Sequence, residues 1–280
     1  MNIATALNRK YLLYTAVMLT SLCENTPEPI DAWLLNTELT NEDFVLLHEA
    51  LSGYPIHCID AKVDAAWFDA RCPHTEEWSM ETYYRLLLPE LLPPEVDRLL
   101  YLDVDLIIDK SLSDLYHRDM EGMDLWACDN CNGTTTPELM MDKQRAMFSP
   151  LMAQGYRYFN AGVLLLNMRQ IREKYTIDSY TQAMAEWDYA MDCPDQDILN
   201  WVHRDAIGYL PWEKYDLFSK HAHQVGITYE DVKRETAIVH FAGAKPWNTT
   251  NLHYDIERLW WDYAKKTPFS FSPPPTQACI

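Results

Sequence analysis

The feature that most restricts how this chain can fold is an alternation in its first half, where short β-like apolar runs are separated by segments with helical spacing. The runs are Asn2 to Leu7, Ala32 to Leu35, Ile56 to Ile59, Arg98 to Leu102 and Leu125 to Cys128; the helix-like segments are Lys10 to Cys23, Glu42 to Leu51 and Trp78 to Leu91. Right-handed crossovers between such strands give an α/β protein: a mainly parallel, Rossmann-like twisted sheet flanked by helices, with ligands at the carboxyl ends of the strands. No linker or internal repeat divides the 280 residues. One domain is therefore expected over 1–266, with a loose Pro-rich tail over 267–280.

The second half is less regular. A polar, Met-rich stretch from Asn130 to Gly155 reads as a long loop, and the apolar runs Ala161 to Leu166 and Ala237 to His240 read as strands. Helical patterns cover Ser179 to Tyr189, Asp197 to His203 and Asn251 to Lys266. At the N-terminus, Arg9-Lys10 before Tyr11 to Leu22 imitates a signal peptide. The earlier apolar run and the missing small-residue cleavage site make strand, turn and helix the better reading. With scattered cysteines and no apolar run near 20 residues, the expected compartment is the cytoplasm.

There are 42 acidic against 23 basic residues, a formal charge of -19, and no Lys/Arg-rich run, which disfavours nucleic acid as a partner. A phosphorylated ligand would need local cation from placed Lys/Arg or a metal. The segment Tyr101-Leu102-Asp103-Val104-Asp105 points there. In a strand, Asp103 and Asp105 would project to one side and repel each other, so they sit at a strand end in water or share a divalent cation. His240 follows a distant apolar run and precedes Gly243 and Lys245. Alone it reads as a packed or capping histidine; beside two carboxylates it completes a mixed N/O set that suits manganese better than magnesium.

Four motifs occur in order: Asp103-Val104-Asp105, Phe159-Asn160-Ala161-Gly162-Val163-Leu164-Leu165-Leu166-Asn167, Asp195-Gln196-Asp197-Ile198-Leu199-Asn200, and His240-Phe241-Ala242-Gly243-Ala244-Lys245-Pro246-Trp247. On these the chain resembles family 8 glycosyltransferases, particularly bacterial lipopolysaccharide galactosyl- and glucosyltransferases, with glycogenin more distant. The resemblance runs from Ala6 to Trp247. It implies a GT-A fold, a UDP-hexose donor (UDP-glucose or UDP-galactose), Mn2+ rather than Mg2+, and transfer with retention to a carbohydrate or lipid-linked glycan.

Carried over residue by residue, the resemblance makes Asp103, Asp105 and His240 the metal ligands and places Lys245 and Gly243 at the diphosphate. Ala6, Asn8 and Tyr11 match the uridine-binding turn, although relatives commonly have Asp where this chain has Asn8. Val104 and Ala161 join the donor-binding set; Arg85 organises the acidic residues; Asp129 and Asn160 face the sugar. Asp195 and Gln196 fall beside the anomeric carbon, Gln196 as the group that stabilises developing positive charge. Only Ala244 separates Gly243 from Lys245, where some relatives have a longer spacing. The aromatic and basic residues of Leu252 to Lys266 suggest either peripheral contact with the inner face of a membrane or a helix packed on the sheet. Two other classes are weighed. One is a non-catalytic sugar-nucleotide or glycan-binding protein on the same scaffold; the other, a Rossmann dehydrogenase, lacks a G-x-G-x-x-G after the first strand.

Overall fold

The computed structural model describes residues 1–67, 80–248 and 254–272. Its first half alternates as the sequence predicts: β1 (Asn2–Ala6), α1 (Leu12–Asn25), β2 (Ile30–Asn36), α2 (Asn41–Ala50) and β3 (Ile56–Lys62). A 3-10 segment (Met80–Leu87) and α3 (Leu88–Leu91) lead into β4 (Arg98–Leu102), followed by β5 (Leu106–Ile108), α4 (Ser113–Tyr116) and β6 (Leu125–Asp129). The second half contains α5 (Asp142–Met152), β7 (Phe159–Asn167), α6 (Met168–Lys174), α7 (Ile177–Glu186), α8 (Pro194–Val202), β8 (Ile207–Leu210) and α9 (Trp212–Tyr215). It ends with β9 (Leu217–Phe218), α10 (Ser219–Val225), α11 (Tyr229–Glu235), β10 (Ile238–His240) and α12 (Arg258–Ala264).

Seven strands form one sheet in the order β3-β2-β1-β4-β7-β6-β8, and β5-β10-β9 form a second. The expected parallel character holds from β3 to β4 and between β6 and β8, whereas β7 runs antiparallel to both neighbours. Side chains alternate across the large sheet. Leu99, Tyr101, Leu164 and Leu166 pack with Ile198 and Leu199 of α8 on one face. On the other, Leu100, Leu102, Val163 and Leu165 meet Met18, Leu19 and Leu22 of α1. Such two-sided burial is why these strands read as continuous apolar runs.

Two expectations are corrected. Asp103 and Asp105 are not two positions on one strand: β4 ends at Leu102 and β5 begins at Leu106, in the other sheet. The acidic pair lies in the link where the chain changes sheets. The stretch from Asn130 to Gly155 is not all loop, because it contains α5, whose Met147 and Phe148 pack with Met140 and Tyr158 in a small separate cluster. Pro150 and the polar first turn hid that helix.

The C-terminal aromatics belong to the core: Leu259 and Trp260 are buried against Val17, Ile107 and Phe241. Beyond α12, Phe271 lies over Trp260 and Tyr14 at ring separations of 5.2 and 6.0 Å. Residues 273–280, the remainder of the expected tail, lie outside the described residues. Among the described residues no helix is long and apolar enough to cross a membrane.

Gly208 in β8 lies under the Trp126 indole, and a Cβ there would stand 2.2 Å from the ring. Gly208→Ala should therefore destabilise the fold by about 1–3 kcal/mol through overpacking. An unchanged denaturation midpoint would contradict this packing.

Candidate active site

A cavity of about 530 Å³ opens at the carboxyl ends of β1 and β4. Every candidate residue except Asp129 lines it. The chain ends on β1 and β4 supply Ala6, Asn8, Asp103, Val104 and Asp105; β7 supplies Asn160 and Ala161; α8 supplies Asp195 and Gln196; the segment after β10 supplies Gly243 and Lys245. Asp129 instead pairs with Arg157 at 3.1 Å, and its other carboxylate oxygen is buried without a partner.

Strand pairing brings His240 to the acidic link. Antiparallel β5 and β10 place His240 opposite Leu106, and the Phe241 N–H donates to the Asp105 carbonyl at 3.0 Å. One ligand atom each of Asp103, Asp105 and His240 then lies within 4.8 Å of the others. The His240 Nδ1 faces Asp216 Oδ1 at 2.8 Å, and its Nε2 faces Asp105 Oδ1 at 3.4 Å. Burial disfavours the imidazolium, yet Asp105 and Asp216 outweigh it and push the pKa up to about 10. Burial also opposes ionisation of Asp105, but Lys245 and His240 hold its carboxyl well below the usual range.

This donor set fits a divalent cation. Two carboxylate oxygens and an imidazole nitrogen converge, and Asp216 holds the ring so that Nε2 faces the acids. Ligation requires His240 to lose a proton. Lys245, whose ammonium contacts Asp105 Oδ2 and the Phe241 carbonyl, supplies positive charge at the other oxygen of the same carboxylate. Gly243 adopts φ +81°, the left-handed region, which lets the chain bend between His240 and Lys245.

Arg85 is the pivot between the two acidic groups. It is 8% exposed; its Nη2 donates to Asp103 Oδ1 at 3.0 Å, its Nε lies 3.0 Å from Asp195 Oδ2, and its Nη1 donates to the Ala161 carbonyl at 2.5 Å. The guanidinium also lies 4.3 Å from the Tyr101 ring centre, and the Tyr101 hydroxyl donates to Asp103 at 3.1 Å. Burial pushes the Asp195 carboxyl up to about 6 against the attraction of Arg85, with Asp103 adding repulsion. At the end of the cavity that follows β1, the Asn8 side-chain oxygen is buried without a partner, an acceptor for an N–H. Tyr11 beside it lines the cavity.

Three residues at the site escaped the sequence reading. Asp216 sits in an unremarkable turn. Tyr158 precedes the Phe159-Asn160-Ala161 motif and reads as core. Gly162, inside the motif, is required by close approach: a Cβ there would stand 2.6 Å from the His240 ring and 2.9 Å from both Asp103 Oδ2 and Asn160 Oδ1. No local pattern marks any of them; the signal exists only once the strands are paired.

A mixed sheet with a smaller second sheet, and a cavity edged by the acidic link between them, define a glycosyltransferase of the GT-A fold. The chain belongs to glycosyl transferase family 8, whose family model matches residues 2–251. The galactosyltransferase LgtC, crystallised with donor and acceptor sugar analogs, superposes with a TM-score of 0.79 and 25% identity, covering 96% of this chain and 97% of LgtC. A putative glycosyltransferase of Haemophilus influenzae is 26% identical over 96% of this chain and 84% of its own length. The lipopolysaccharide 1,2-glucosyltransferase of Escherichia coli K12 is 28% identical over 66% of this chain, which spans about half (54%) of that relative.

Removing Arg85 should strand two ionised groups. Arg85→Leu is expected to cost about 3–5 kcal/mol at pH 7, as when one partner of a buried pair is deleted. The folded-state pKa of Asp195 lies above its unfolded value, so acidification through about pH 6 neutralises it and should shrink the loss. Denaturant titrations at pH 7.5 and 5 test this; a loss that grows on acidification would refute the bridge.

Proposed function

We propose that this protein is a metal-dependent, retaining hexosyltransferase that moves glucose or galactose from a UDP-sugar to a glycan or lipid-linked glycan. The observation that carries the reading is the single cavity joining Asn8 and Tyr11, the Asp103-Asp105-His240 cluster with Lys245, and Asp195 with Gln196. Those are, in order, the needs of a base, a diphosphate and a reacting sugar. The names of the relatives, a lipopolysaccharide glucosyltransferase and a galactosyltransferase bound to sugar analogs, support hexose as the group moved.

A divalent cation held by Asp103, Asp105 and His240, with manganese suiting the donor set, would act as a Lewis acid on the departing diphosphate. The remaining work falls to the chain. Asn8 Oδ1 accepts the uracil N–H while Tyr11 stacks on the base. Lys245 moves its charge from Asp105 towards the phosphates, offsetting repulsion from an acidic protein. Arg85 holds Asp195 as an ionised acceptor for sugar hydroxyls. Gln196 presents its amide to the anomeric carbon, where positive charge develops, and an amide is a poor nucleophile. Same-face attack follows, the leaving diphosphate taking the acceptor's proton.

A screen of UDP-sugars with and without Mn2+, read as UDP release, tests the assignment. UDP-glucose or UDP-galactose should be turned over only with metal, and Asp105→Ala should remove that stimulation by at least about 100-fold. Donor that binds with Mn2+ but never yields UDP, with any acceptor or water, would instead favour a binding protein on this scaffold. Because an ionised Asp195 accepts from sugar hydroxyls more strongly than its protonated form, turnover should fall as pH drops through about 6. Asp195→Asn should lower activity and flatten that acid limb. A limb of unchanged midpoint in the variant would assign it to another group.

A further inference from the structure

The Gln196 side chain is held in one of its two amide orientations by groups that cannot reverse. At its oxygen end, Oε1 accepts from the backbone N–H of Ala161 at 3.0 Å and from Asn160 Nδ2 at 3.1 Å. Asn160 is itself fixed, because its Oδ1 accepts from the Gly162 N–H at 2.8 Å. At its nitrogen end, Nε2 donates to the Tyr158 hydroxyl at 3.0 Å. That hydroxyl gives its only proton to Asp197 Oδ1 at 2.6 Å and accepts a second hydrogen bond from Gln144 Nε2 at 3.0 Å.

Both ends therefore have defined polarity. Asp197 is fully buried, and its other oxygen accepts from the backbone N–H groups of Asp192 and Cys193 at 3.0 and 2.9 Å. Gln144 Nε2 adds a bond to Oδ1 at 2.9 Å. With its proton committed to Asp197, the Tyr158 oxygen can only accept, so it selects the NH2 of Gln196 and rejects the carbonyl. A flipped amide would set its NH2 against the Ala161 N–H and its oxygen against a hydroxyl with no proton to give. Two buried mismatches of this kind are costly. Of Tyr158, Asp197, Gln144 and Gln196, only Gln196 lines the cavity.

We propose that Tyr158, oriented by Asp197 and Gln144, is a positioning residue that fixes the Gln196 amide with its nitrogen turned into the protein and its carbonyl oxygen held beside Asn160 and Ala161. The proposal rests on the reading of Gln196 as the group beside the anomeric carbon. It adds that the polarity of that amide, which decides whether it opposes or supports developing positive charge, is set from the side remote from the sugar. It also ties the cavity to α5, since Gln144 belongs to that helix.

Tyr158→Phe deletes the hydroxyl and keeps the ring. With glutamine labelled with nitrogen-15, the Gln196 side-chain resonance, assigned by its loss in Gln196→Glu, reports the amide directly. In the wild type it should exchange slowly with solvent. In Tyr158→Phe it should shift and exchange faster, while kcat for UDP release falls about tenfold, the size of one hydrogen bond, and donor KM and UDP affinity stay within about twofold. Gln144→Met, which spares the tyrosine, should move the same resonance in the same sense by less, and it decides the matter should Tyr158→Phe not fold. An unmoved Gln196 resonance in both variants overturns the proposal. So does a Tyr158→Phe in which kcat, UDP affinity and melting temperature all decline together, the mark of general loosening. A wild type that releases no UDP from any UDP-sugar overturns the proposed function instead, and the resonance alone then decides the positioning.

Discussion

The site depends on a short piece of backbone pairing. β5 and β10, far apart in the chain, hydrogen-bond as antiparallel neighbours and set His240 opposite Leu106, one residue beyond Asp105. Without that register the imidazole and the carboxylates would lie on separate elements with no reason to meet. The pairing is secured by burial: Leu106, Ile107, Ile108, Ile238 and Val239 are all inaccessible to solvent. β10 is buried on both faces, Ile238 packing with Leu106 and Ile108 and Val239 with Ile107 and Leu217, so a slip of one residue would exchange those two packings and carry His240 away from the acidic link.

That register concentrates acid. Asp103, Asp105, Asp195 and Asp216 stand close together, three of them almost fully buried, in a protein already far from neutral. Desolvation alone would favour their protonated forms. Arg85 opposes this by bridging Asp103 and Asp195, and a guanidinium suits the task because its fork reaches both acids and the Ala161 carbonyl at once. Lys245 and the His240 imidazolium do the same for Asp105. The cations are thus placed singly against particular carboxylates, and the same placement suits a ligand bearing phosphates.

Much of this was legible in the sequence, for a definable reason. β1, β4 and β6 are buried on both faces and so appear as continuous apolar runs. The acidic link and His240 stood out because charge beside an apolar run is unusual. What stayed hidden depends on contacts across the chain. β5, β8 and β9 are two to four residues long, too short to show a period. The antiparallel direction of β7 leaves no trace in its own residues. Asp216 matters only because β9 pairs with β10, and Gly162 only because His240 arrives above it.

Gly162 shows how closely fold and chemistry are joined here. Its neighbours in β7, Ala161 and Val163, pack in separate parts of the core, in the stretch where the pairing of β7 with β6 shifts register. Gly162 itself has no side chain, and its carbonyl accepts from the Asp103 N–H at 2.9 Å, anchoring the acidic link on the strand edge. Any Cβ would intrude among the His240 ring, Asp103 Oδ2 and Asn160 Oδ1. The space that the missing side chain leaves is where Asp103, Asn160 and the imidazole converge. In a strand, glycine normally weakens the element; here the small loss in strand propensity is what lets groups from both sheets approach one another.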